Sequence, residues 1–229
     1  IVRAARKEGA LFDMDKLDWP FSMTLPHSTG ARLYELANNH MWRTHFAFTN
    51  WNSRTSTFLQ PPAGAKVGGE EDWMNYTFGQ YYTLLNAGFP LVPTAGTANG
   101  VHPVPAGFSR VYVHQPKGFS YEGWIDGLKK GRSFVTTGPM LFAKVNGQQS
   151  GARFELGKDG GDIKITGEII SERPMSFIEI VVNGSPVKLV RGRAVLMKDG
   201  ARRTPFSATV KINSTSWLCV RCFEERPAG

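Results

Sequence analysis

The sequence has no stretch approaching the roughly 18 uninterrupted apolar residues that a membrane span requires, so a spanning helix is excluded. It has only two cysteines, too few for a disulfide framework, which leaves the redox compartment open. It begins at Ile1 with neither an initiator methionine nor a signal-peptide pattern. It therefore reads as a fragment, with any targeting segment upstream, and cellular placement stays open, secreted or periplasmic included. Also missing are a G-x-S-x-G elbow, a Walker loop, a dinucleotide fingerprint and any clustered H-x-H or H-E-x-x-H. These absences set aside the serine-hydrolase, P-loop and dinucleotide chemistries.

What is present is ordinary globular composition: 229 residues, 41% hydrophobic and 20% charged, enough for one large domain or two small ones. The net charge of +8 is spread evenly, with 13 basic against 10 acidic residues before Lys144 and 14 against 9 from there on. A nucleic-acid binder clusters its basic residues on one face and interleaves them with stacking aromatics, so no nucleic-acid partner is expected. The densest basic run, Arg191, Arg193, Lys198, Arg202 and Arg203, reads as a solvated strand edge blunted against aggregation.

Up to about residue 137 helical and strand signals alternate. Residues 3–8 look like the tail of a helix stopped by Gly9; 10–14, 32–37, 91–95, 110–114 and 132–136 read as short strands. Residues 73–86 have helical spacing, with Glu70, Glu71 and Asp72 before them and Gly88 after. In the clearest helix Ser120 is the N-cap, Tyr121, Trp124, Ile125 and Leu128 form the expected buried face, and Gly131 ends it. The alternation predicts parallel β/α units with functional groups at the carboxyl ends of strands. Beyond Pro139 the pattern has period two. Ile163, Ile165 and Ile169 alternate with polar residues, later runs repeat this, and Asn183-Gly184 and Asp199-Gly200 mark turns. About six short strands of this kind predict a small antiparallel β-sandwich. Residues 52–69, rich in Ser, Thr, Pro and Gly, read as a lid or a mobile insert.

The candidate chemistry gathers at predicted strand ends. Asp13 and Asp15 are two apart and share a face; His40 directly follows a strand; His102 lies in the small-residue loop PTAGTANGVHP. Such a mixture of carboxylate and imidazole suits zinc or another divalent cation. Asn38, Asn39, His40, Trp42 and Arg43 would suit sugar hydroxyls or an anion. His27 reads as loop and His114 as strand end. Cys219 and Cys222 are three apart in a strand and point to opposite faces, which excludes a shared metal or a bridge and predicts core packing.

Several runs together resemble the CehA/McbA-like metallohydrolases of the polymerase-and-histidinol-phosphatase (PHP) superfamily. They are LYELANNHMWRT from Leu33, LLNAGFPLVPTAGTANG from Leu84, GFSRVYVH from Gly107, FSYEGWIDGLKKGRSFVTTGPML from Phe119 and VNGQ from Val145. The most specific element is GRSFVTTGP in register with its preceding helix. The resemblance covers about residues 9–150 and, through the trailing strands, extends to the whole chain. It implies an α/β unit followed by an all-β one: residues 1–143 as the later part of a distorted PHP-like β/α barrel, and 144–229 as a β-sandwich. It further implies zinc or manganese and metal-dependent hydrolysis of ester, carbamate or phosphoester bonds in a small-molecule substrate. Asp13, Asp15, His40 and His102 are then the metal candidates, and Asn38, Asn39 and Arg43 the substrate candidates.

Three departures stand out. The family's early H-x-H has no counterpart. Its G-[ST]-D-x-H-like motif matches at Gly96 and Thr97, but Ala98 replaces the aspartate, leaving His102 to compensate. Asp15 and Lys16 stand where relatives carry His-Pro. The alternatives are therefore a barrel without metals that binds carbohydrate or another polar ligand, and a structural or surface-attachment protein that uses the sandwich.

Overall fold

A computed structural model describes residues 2–15, 23–41, 70–100 and 104–225, which fall into two compact units, 1–137 and 138–229. The expected lid or insert at 52–69 lies outside the described residues.

In the first unit, helix α1 (Val2–Lys7) precedes strand β1 (Asp13–Met14), and helix α2 (Leu25–Thr29) precedes β2 (Leu33–Ala37). Helix α3 (Glu70–Asn86) leads to β3 (Val92–Ala95). The three strands form a parallel sheet in the order β1-β2-β3. Helix α3 stops where its sequence says it should. Gly88 takes φ +86°, its N–H bonds to the Leu85 carbonyl, and the Phe89 N–H reaches back to Leu84. That pair of bonds satisfies the last carbonyls of the helix, and a left-handed residue makes it possible.

Strand β4 (Arg110–Val113), helix α4 (Tyr121–Lys129) and β5 (Ser133–Thr136) follow. Ser120 caps α4 by accepting from the Gly123 N–H at 3.0 Å. Two expectations are corrected here. β4 and β5 pair antiparallel, so α4 sits inside a hairpin connection instead of making a parallel crossover. The His114 N–H bonds to the Arg132 carbonyl, so the chain leaves and re-enters the sheet at the same end. Tyr121 is not on the buried face but is 69% exposed. Closest approach is at Gly127, where a Cβ would stand 2.5 Å from Val113 Cγ1, so contact centres on Gly127 and Leu128 and leaves the first turn outside. Among the described residues the strands form a three-stranded and a two-stranded sheet, not a closed barrel.

The second unit is all strand. β6 (Met140–Val145), β7 (Gly161–Ser171), β10 (Val195–Leu196) and β11 (Arg202–Ile212) form one antiparallel sheet, ordered β10-β11-β7-β6. β8 (Met175–Val182), β9 (Ser185–Val190) and β12 (Leu218–Glu224) form the other, ordered β12-β8-β9. Ile163, Ile165, Ile169, Phe206, Ala208 and Val210 meet Ile178 and Ile180 in one core. The period-two pattern produces this directly, since alternate residues face inward. Gly167 sits opposite Phe206, whose ring occupies the place a Cβ would take. Asn183 and Gly184, both at positive φ, close the two-residue β8–β9 hairpin. β6 pairs along β7 from Met140 to Val145, so the division falls between Thr137 and Gly138, earlier than the 143/144 boundary read from sequence.

On β12, Leu218, Val220 and Cys222 pack on the core, with Cys219 on the alternate positions. Burial pushes the Cys222 thiol up to about 12, so it is inert at neutral pH. The basic run includes an Arg203–Glu168 ion pair, and Arg202 donates to the Glu172 carbonyl at 2.6 Å.

Leu128 is 3% exposed, so Leu128→Ala should cost roughly 2–5 kcal/mol, whereas Tyr121→Ala should stay within about 0.5 kcal/mol. Denaturant midpoints of the two variants check the assignment, and equal midpoints would show the helix face to be wrong.

Candidate functional site

The parallel sheet has two unlike faces. Met14, Tyr34 and Leu36 are buried on one, where the Tyr34 ring lies 5.3 Å from that of Tyr81 on α3. Tyr81 donates its hydroxyl to the Leu91 carbonyl at 2.7 Å, fixing the helix to the start of β3. The opposite face carries Asp13, Leu33, Glu35 and Thr94, because Asp13 is registered with Leu33 and Glu35 with Thr94. Asp15, two residues beyond Asp13, follows the two-residue β1; Asp13 itself is not at the carboxyl end expected from sequence but level with Leu33 and Val92, the first residues of β2 and β3.

Thr94 donates its hydroxyl to Asp13 Oδ2 at 2.6 Å. Burial pushes the Asp13 carboxyl above its ordinary range and the nearby Asp15 charge adds to the shift; the bonds from Thr94 and the Met14 N–H oppose it. Glu35 lies against Gly96, where a Cβ would be 2.3 Å from Oε2, so the glycine makes room for the carboxylate. The sequence reading missed Glu35; its one signal was a charged residue inside an otherwise apolar strand.

Asn38 and Asn39, directly after β2, are 5% and 7% exposed. The Asn38 carbonyl accepts from Ser109 Oγ at 3.2 Å, and Thr97 Oγ1 donates to the Ser109 carbonyl at 3.3 Å. These bonds hold the loop after β3 and the beginning of β4 at the carboxyl end of β2. A short 3₁₀ turn, Asn39–Met41, carries His40 in the chain directly after the strand, as expected. The side chain of His40 lies outside the described residues, as do His102, Trp42 and Arg43. The structure thus brings Asp13, Thr94 and Glu35 onto one face and Asn38 and Asn39 to the end of the same sheet. His27 and His114 are exposed and stand elsewhere. Ala98 is exposed and takes φ +49°.

The Asp13 shift has a consequence for stability. A carboxyl whose folded pKa is raised favours the folded state fully below its unfolded pKa near 3.8, and loses that contribution as pH rises through the folded value. Asp13→Asn keeps an acceptor for Thr94 and carries no charge. In chelator it should melt higher than the unsubstituted chain at pH 7, with the gap closing as pH falls toward 4. Melting curves across that range test this; a gap that widens on acidification would contradict it.

Compared with known proteins, no family model, no curated protein and no solved structure matches this chain.

Proposed function

We propose that the first unit carries a metal-dependent hydrolase site of the PHP type at the carboxyl ends of β1–β3, acting on ester, carbamate or phosphoester bonds. The observation that supports it is the face shared by Asp13, Glu35 and Thr94, with Asp15 just beyond and helix α3 on the opposite side. A partly buried carboxyl with a raised pKa is a group whose desolvation a cation would offset. Carboxylate and imidazole donors suit zinc or manganese. Among the described residues no three such donors gather closely enough to hold an ion. On this reading Asp13 and Asp15 are part of a set that His40 and His102 complete. An ion held by these residues would supply an acidified water and polarise the scissile oxygen. The chain's own residues position and bind: Thr94 orients the Asp13 carboxylate, and Asn38 and Asn39 at the end of β2, with Arg43, are the substrate candidates.

A second reading, a non-catalytic module that binds carbohydrate or another polar ligand, is favoured by Ala98. No ligand stands there where the resembling family has aspartate. The backbone nevertheless suits one: at φ +49° Asp and Asn are tolerated better than Ala.

Elemental analysis of the purified chain should find substoichiometric zinc or manganese, and Ala98→Asp should raise the occupancy. His40→Ala should remove the remaining metal without moving the melting temperature. Stoichiometric metal that survives loss of both His40 and Asp15 would place the site on other residues and sink this reading.

A further inference from the structure

The β4–β5 hairpin presents two different faces. Val113 lies beneath Gly127 of α4, so Val111, Val113, Ser133 and Val135 belong to the helix side. Arg110, Tyr112, Phe134 and Thr136 alternate with them and share the other face. There the Tyr112 and Phe134 rings stack at 5.4 Å with 15° between planes, and Tyr112 is 37% exposed. Arg110 begins β4 beside Ser109, which is bonded to Asn38, so its backbone is fixed at the carboxyl end of β2.

The Arg110 guanidinium is unusual. Its Nε is buried, and no side-chain hydrogen bond or ion pair of Arg110 forms among the described residues. A guanidinium hydrogen with no acceptor loses its hydration without compensation. Two other cations of the same hairpin are matched: Lys130 is 2.8 Å from Asp126 and Arg132 is 3.9 Å from it. Those charges are exposed and need a partner least. The one that needs it most has none among the described residues.

We propose that Arg110 and the Tyr112–Phe134 pair form a binding site for an organic oxyanion, a carboxylate or phosphate attached to a flat apolar body. The guanidinium fork matches either oxyanion bidentately, which a Lys would not do. The exposed Tyr112 ring, backed by Phe134, offers the apolar body a surface on the same face as the charge. Oxyanion and apolar body together account for features that neither explains alone. This site does not depend on the metal reading.

Calorimetric titration of the full chain, in chelator, with phenyl phosphate and with benzoate tests the proposal and separates the two oxyanions. At least one should bind, more tightly than inorganic phosphate or benzyl alcohol alone. Arg110→Met, which keeps the aliphatic stem, should weaken that binding at least tenfold, and Tyr112→Ala should weaken it while sparing inorganic phosphate. Near-UV circular dichroism checks folding; if Arg110→Met fails to fold, Arg110→Lys should fold and bind several-fold more weakly. Binding of neither anion, or equal binding by the chain with and without the Arg110 change, would overturn the proposal. Chelator leaves the titration unaffected by any failure of the metal site.

Discussion

The hydrogen bond from Thr94 to Asp13 joins residues 81 apart in sequence and crosses over β2 to tie β1 to β3. β1 has only two residues, so the ladder alone holds it weakly. Closing so long a segment costs about 4 kcal/mol from the length-dependent term. A hydrogen bond to a charged group returns roughly 1.5–3 kcal/mol. The bond therefore depends on the apolar face behind it, where Met14 and Tyr34 are almost fully buried. Once that face is packed, the carboxylate is carried into a position water only partly reaches, which is why its pKa rises. Packing on one side of the sheet thus sets the electrostatics on the other.

That coupling explains which features could be read from sequence. The sandwich was legible because its strands are long and buried on one face: β7 and β11 alternate almost without exception. β2 is different. Leu33, Tyr34, Leu36 and Ala37 are all buried, so no alternation singles out Glu35 as a residue of the Asp13 face. The pairing of β4 with β5 was illegible for another reason. A helix between two strands looks the same in sequence whether it crosses over or sits in a hairpin connection. Only the meeting of His114 with Arg132 distinguishes them. Tyr121 had the right spacing for the buried face, but Gly127 determines where the helix touches its sheet, and the contact is too short to reach the first turn.

The candidate site was half legible for similar reasons. Asp13, expected at the carboxyl end of its strand, instead begins β1, level with the first residues of β2 and β3. Asn38 and Asn39 were found because they directly follow β2, and strand ends can be located. Arg110 was not, because a charged residue at the start of a strand ordinarily reads as solvated. Its significance lies in a buried Nε without an acceptor among the described residues, which sequence does not reveal.

The first unit therefore holds two kinds of charge under tension. A partly buried carboxyl stands on the β1–β3 sheet with a like charge, Asp15, near it. A guanidinium with a buried Nε stands on the β4–β5 hairpin without an acceptor among the described residues. Were folding the only constraint, pairing acid with base would relieve both, as Glu179 and Arg221 do on the second unit, 14% exposed on each side and 2.5 Å apart. A buried guanidinium hydrogen left without an acceptor costs on the order of 1–3 kcal/mol, a sizeable part of a domain's net stability. On the two readings proposed above, the carboxyl face would take a cation and Arg110 an anion.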